Sequence, residues 1–243
     1  MIRWTVPVFG FALILLVTGC NPSRNADPAT SSTPEPVRDV LTSEAQQALT
    51  PDDVLSDLKE GNRRFMEGRL TPRDYLAQAA ASASGQYPKA VILGCVDSRV
   101  PPEIVFDQGI GDLFVGRIAG NFENVDMLGS LEFATKVAGS KLIVVLGHTS
   151  CGAIKGAVAG VDLGNLTAML DNFDEALEQA SSGNSDISDS ELIRAATEEN
   201  VRQTVNDILS DSTVIAELVE SGDVAVVGGI YDLASGRVTW LDF

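Results

Sequence analysis

At 243 residues, with 17 Lys and Arg against 34 Asp and Glu, the chain carries a net charge of −17 and can bury one substantial core. That acidity argues against nucleic-acid binding, which needs a basic footprint. Hydrophobic residues at 44% and charged residues at 21% are those of a globular protein.

Arg3 and the apolar run Val6 to Val17 have the layout of a signal sequence, because the run is too short for a comfortable membrane span. Val17-Thr-Gly-Cys20 puts small residues directly before a cysteine and resembles a bacterial lipobox. The reading is a lipoprotein signal peptide over 1–19, lipidated Cys20 as the mature N-terminus, and a flexible tether over 20–40 rich in Pro, Ser, Thr and Asp. Such a protein is exported, periplasmic or on the cell surface, and is anchored to a bacterial membrane without spanning it. Export permits a disulfide, so two cysteines in the domain, Cys95 and Cys151, can be read as a bridge.

Residues 41–243 read as one domain. Thr50-Pro51-Asp52-Asp53 starts a helix, with a hydroxyl cap, Pro at the first position and acids in the first turn, running to Met66. A second helix is expected over 75–81. Continuous Val- and Ile-rich runs at 89–94, 113–118, 141–146 and 223–230 predict strands buried on both faces. Helices are expected between them at 125–137, 166–180, 189–209 and 211–219, with a loop around 181–185. A turn at Tyr231 to Gly236 leads into an edge strand over 237–243. The expected class is α/β: a central, mostly parallel sheet flanked by helices, with a C-terminal antiparallel edge strand.

In such sheets functional groups gather beyond the carboxyl ends of the strands. Cys95 closes the first strand, and the only histidine, His148, closes the third, three residues before Cys151. Two thiolates and an imidazole suit Zn²⁺, and three protein ligands leave a fourth position open. Asp97, two residues from Cys95, can either ligate the metal or accept a proton from its water, and Arg99 can hold it in a bidentate pair. The plain alternative is an Asp97–Arg99 salt bridge that caps the loop.

Cys95-Val-Asp-Ser-Arg99 followed by His148-Thr-Ser-Cys151 resembles the paired signatures of the β-class carbonic anhydrases, over roughly Leu49 to Phe243. The resemblance implies one Zn²⁺ per chain on Cys95, His148 and Cys151, with Asp97 and Arg99 as a catalytic dyad. It implies hydration of CO₂ to bicarbonate and a proton by a zinc-held hydroxide, with Asp97 a fourth ligand only in a closed state. Gln86, Phe114 and Gly152 match substrate-binding positions. The family's dimers, some pairing into tetramers, imply that Gln86 and Phe114 serve a partner's zinc. Phe133 stands where some relatives carry a tyrosine, and Ile92 where some carry the tryptophan of an inhibitory bicarbonate site, whose other two members match Arg117 and Tyr231. Rival readings are a CS₂ or COS hydrolase of the same superfamily, a non-catalytic lipoprotein with a Cys95–Cys151 disulfide, and a nucleotide-binding domain. The last lacks any glycine-rich phosphate motif after a strand.

Overall fold

The four apolar runs form β1 (Ala90–Gly94), β2 (Leu113–Arg117), β3 (Leu142–His148) and β4 (Ala225–Tyr231), all paired in parallel. The short β5 (Val238–Trp240) runs antiparallel to β4 and completes the order β2-β1-β3-β4-β5. This computed structural model describes residues 34–181 and 186–243. The expected signal segment, Cys20, the tether to residue 33 and residues 182–185 of the expected loop lie outside them. Val37 N–H donates to Pro72 O at 2.9 Å and pairs with Arg73, so the compact unit begins at Glu35 rather than at residue 41.

Ten α-helices among the described residues flank the sheet: α1 (Ser43–Gln47), α2 (Pro51–Met66), α3 (Tyr75–Ser82), α4 (Pro102–Val105), α5 (Val125–Glu132), α6 (Gly152–Val158), α7 (Asn165–Leu170), α8 (Asp174–Ser181), α9 (Asp189–Asp211) and α10 (Thr213–Glu220). The Thr50 hydroxyl accepts from Asp53 N–H while the Asp53 carboxylate accepts from Thr50 N–H, a reciprocal cap that starts α2 where the sequence indicates. Ser188 and Glu191 start α9 in the same way. Two expected helices differ. The one over 125–137 widens at Phe133–Val137, where Ala138 N–H reaches back five residues to Phe133 O. There the Thr135 hydroxyl donates to Leu131 O, competing with the regular ladder. The one over 166–180 breaks at Asp171–Phe173, a tight turn that drives Phe173 into the core, edge-on to Phe122 at 5.8 Å.

Strand alternation divides the core into two layers. Ala90, Ile92, Leu142, Val144 and Leu146 meet Val54 and Leu58 of α2. Val91, Leu93, Ile143 and Val145 meet Val201, Val205 and Ile208 of α9 and Ile215 of α10. Helices on both faces explain why the strand sequences are apolar throughout rather than alternating. The α9 helix lies so close to β3 that a Cβ on Gly147 would stand 2.7 Å from Val201 Cγ2.

From β1 the chain goes to β2 on one side, then returns to β3 on the other. The crevice at the carboxyl ends of β1 and β3 is therefore the point where winding reverses, the place such sheets bind ligands. Gly94 pairs with Leu146, so Cys95 and His148 leave the sheet at the same edge.

Candidate metal centre

Sγ of Cys95, a ring nitrogen of His148 and Sγ of Cys151 lie within 4.8 Å of one another, the only such set among the described residues. All three residues are buried, and both cysteines are free thiols, so the disulfide alternative takes no support from the geometry.

Each donor is aimed by the loop that carries it. Thr149 N–H donates to Tyr231 O at 2.9 Å, and its hydroxyl accepts from Leu233 N–H at 3.0 Å, tying the loop after β3 to the end of β4. Ser150 takes a left-handed turn, φ 58°, which folds Cys151 back beside His148. Nδ1 of His148 lies 3.0 Å from Thr149 O, a contact that fixes the hydrogen on Nδ1 and leaves the Nε2 lone pair facing the cluster. Nε2 is buried without a hydrogen-bond partner. A buried acceptor left bare is costly, and a cation relieves that cost.

The two thiols act on each other, and their environments push them in opposite directions. The hydrogen bond from Cys151 holds Cys95 down to about 4 against the opposing effect of burial, assisted by the backbone N–H of Gly120. That same bond, together with burial, pushes Cys151 up, although the N–H groups of Ile154 and Ala153 oppose it. One thiolate is thus available at once, and a bound cation is what displaces the second proton. Two soft sulfurs and one imidazole fit Zn²⁺ better than the hard cations that take oxygen.

Gly120 was not singled out in the sequence, yet its N–H donates to Cys95 Sγ at 3.3 Å. Its φ of +83° is left-handed, and a Cβ there would lie 2.3 Å from Phe173 Cζ. Asn200 of α9, itself buried, pins the Gly120 carbonyl at 2.9 Å. Placement just beyond the end of β2, at the sheet's functional edge, was the available signal for Gly120. Asn200 gave none.

Asp97 and Arg99 face the cluster as a pair. Arg99 donates from Nη2 to Oδ2 at 2.6 Å, from Nε to Oδ1 at 2.9 Å, and from its backbone N–H to Oδ1 at 2.9 Å. The Arg99 guanidinium holds the Asp97 carboxyl well below the usual carboxylate range, with burial opposing. Oδ2 stands 3.9 Å from His148 Nε2. Gly152 opens α6 directly after Cys151 and is exposed, with nothing within 4 Å of a Cβ built there.

Gln86 and Phe114 are not part of this cluster. Phe114 pairs with Val91 near the start of β1, so four residues, on the order of 13 Å of strand, separate it from Cys95. Gln86 is exposed in the segment that enters β1. Ile92 is fully buried in the core, and Arg117 spends its donors on backbone carbonyls of the loop after β1.

The carbonic anhydrase family model matches residues 90–238. Carbonic anhydrase 2 of Mycobacterium tuberculosis is 40% identical over 188 residues, covering 76% of this chain and 90% of its own. The β-carbonic anhydrase CafA of the fungal pathogen Aspergillus fumigatus superposes with a TM-score of 0.64 at 28% identity, over 79% of this chain and 90% of that one. A structure from a study of two tetrameric β-carbonic anhydrases of the ascomycete Sordaria macrospora gives 0.60 at 27% identity, over 66% and 84%.

Gly120→Ala is expected to weaken zinc binding by roughly 10–100-fold, the usual cost of disturbing an outer-shell contact to a metal ligand. Competition with a chromogenic chelator measures it, and unchanged affinity would show that the N–H contact to Cys95 is idle.

Proposed function

The chain belongs to the carbonic anhydrase family, in its β class, and on that premise we propose which residues carry the zinc-dependent hydration of CO₂ to bicarbonate and a proton, and where the enzyme works. Cys95, His148 and Cys151 hold the zinc. When bound, zinc supplies a Lewis acid that lowers the pKa of a coordinated water toward ~7.

The observation that carries the assignment is the Asp97 carboxylate, turned toward the donor set but held off it by Arg99. An ionised carboxylate can only accept hydrogen bonds. A water beside it must therefore point a proton at Oδ2, which leaves an oxygen lone pair free for the carbon of CO₂. Arg99 keeps Asp97 ionised and in place, and so keeps the fourth position open. The Gly152 N–H donates to an oxygen of the developing bicarbonate, a role supported by its position at the first residue of α6, where a backbone N–H has no partner within the helix. The relatives matched are carbonic anhydrases, and the sulfur-hydrolase alternative takes no support from them. Asp97→Asn is expected to retain zinc, by metal analysis, while CO₂ hydration in stopped flow falls roughly 10²-fold or more, the usual worth of a positioned acid–base group. Full activity would remove Asp97 from the mechanism.

Gln86 and Phe114 serve the site of a second copy in a homodimer. Their distance from this chain's own ligands supports that reading. So does the apolar surface around them: Val125 is 81% exposed, Phe133 50% and Val137 72%, beside a cavity of about 560 Å³ lined by Phe114 and Phe133. Phe133→Glu is expected to shift sedimentation from dimer to monomer and to lower activity with zinc retained. A variant that stays dimeric would move the interface elsewhere.

The enzyme is exported and lipid-anchored through Cys20, after removal of residues 1–19, at the periplasmic or outer face of a bacterial membrane. The lipobox-like Val17-Thr-Gly-Cys20 and the polar segment after it support this. No helix among the described residues is long and apolar enough to cross a membrane. In a bacterial host, labelled palmitate should enter the wild type and not Cys20→Ser. Equal labelling, or none in either, would dismiss the anchor.

A further inference from the structure

β2 ends in Arg117, one residue whose side chain reaches back over the neighbouring strand's loop. Its Nε donates to Cys95 O at 2.8 Å, and its Nη2 donates both to Asp97 O and to Val100 O at 3.1 Å. These three carbonyls bracket the segment that holds a zinc ligand, Cys95, and the Asp97–Arg99 pair. Within the segment a single bond joins backbone to backbone, Val100 N–H to Asp97 O at 3.2 Å. Among the described residues, no other side chain from outside the segment donates to its carbonyls.

What needs holding is clear from the distances. Asp97 Oδ2 lies 3.9 Å from His148 Nε2, close to where a fourth ligand would bind. Carboxylate oxygen is itself an acceptable zinc ligand, so a modest shift of the segment exchanges an open site for a blocked one. Arg99 opposes that shift, but its side chain is 57% exposed, so water competes for the guanidinium and nothing in that pair holds the backbone. Arg117 acts on the backbone instead, through charge-assisted bonds in the fixed fork geometry of a guanidinium.

We propose that Arg117 is a positioning residue, which fixes the Cys95–Val100 segment so that Asp97 stays on Arg99 and leaves the fourth zinc position open. This rests on the reading of Asp97 given above. It also means that Arg117 touches neither substrate nor metal, and that lysine, a single point donor, replaces it only in part.

The test uses the full-length protein loaded with cobalt(II) and azide as the probe of the open position, followed by visible absorption. Arg117→Ala is expected to keep its cobalt while binding azide roughly 10–100-fold more weakly, the scale of outer-shell effects at metal sites. Arg117→Lys should fall between it and wild type, and serves if the alanine variant does not fold. Adding Asp97→Asn to either variant should restore azide binding, because the group that blocks the position is gone. Wild-type azide affinity in folded Arg117→Ala or Arg117→Lys overturns the proposal, as does a weakened affinity that Asp97→Asn fails to restore. Asp97→Asn alone reports separately on the underlying reading: it should bind azide as wild type does yet lose CO₂ hydration. If it keeps that activity, Asp97 fails as the catalytic group while the cobalt spectra still judge the clamp.

Discussion

A buried imidazole nitrogen with no hydrogen-bond partner, facing two free thiols, is the constraint on which the rest of the structure depends. Left alone, such a group is a stability cost at the centre of a fold. A divalent cation with a preference for sulfur and nitrogen turns the same arrangement into a binding site. The surrounding contacts make sense in that light. Thr149 O selects the histidine tautomer, a left-handed Ser150 returns Cys151 to the cluster, and Gly120 N–H meets Cys95 Sγ.

These contacts come from elements far apart in the chain, and the sheet is what lets them converge. Parallel strands send every loop of interest to one edge, and the reversal of winding between β1 and β3 opens a crevice there. Helix α9 then reaches the centre from one face through Asn200, while its close approach requires glycine at position 147. On the opposite face, Asp107 is buried between Arg64, Arg73 and Thr71 and ties the α2 end to the turn after α4. The metal site is thus braced by α9 as well as by its own loops.

Charge is placed with economy near the metal. Asp97 is kept ionised by Arg99 and Arg117 is occupied with carbonyls, so neither cation competes for the donor set. The chain's only histidine is spent as a ligand candidate, which leaves no imidazole to relay protons outward. That relay falls to water, carboxylates or buffer, in a protein with a large excess of acid.

Much of this was legible in the residues. The Val- and Ile-rich runs specify buried strands because only a sheet covered on both faces tolerates them, and the Thr50-Pro51 start of α2 is local hydrogen-bond chemistry. The paired Cys-x-Asp-Ser-Arg and His-x-x-Cys segments pointed to the ligand candidates that the fold brings together and to the class of enzyme. The break at Asp171–Phe173 and the widened turn at Phe133–Val137 were not legible, since a buried Phe173 and a side-chain bond from Thr135 override helical periodicity. Nor could spacing reveal Gly120, Asn200 or the carbonyl clamp of Arg117. By itself the sequence determined the donor chemistry and the strands that present it, because those depend on residue type and local pattern. Tertiary structure alone decided which backbone groups hold the donors and how far Asp97 stands from them, because those contacts join residues that no local pattern connects.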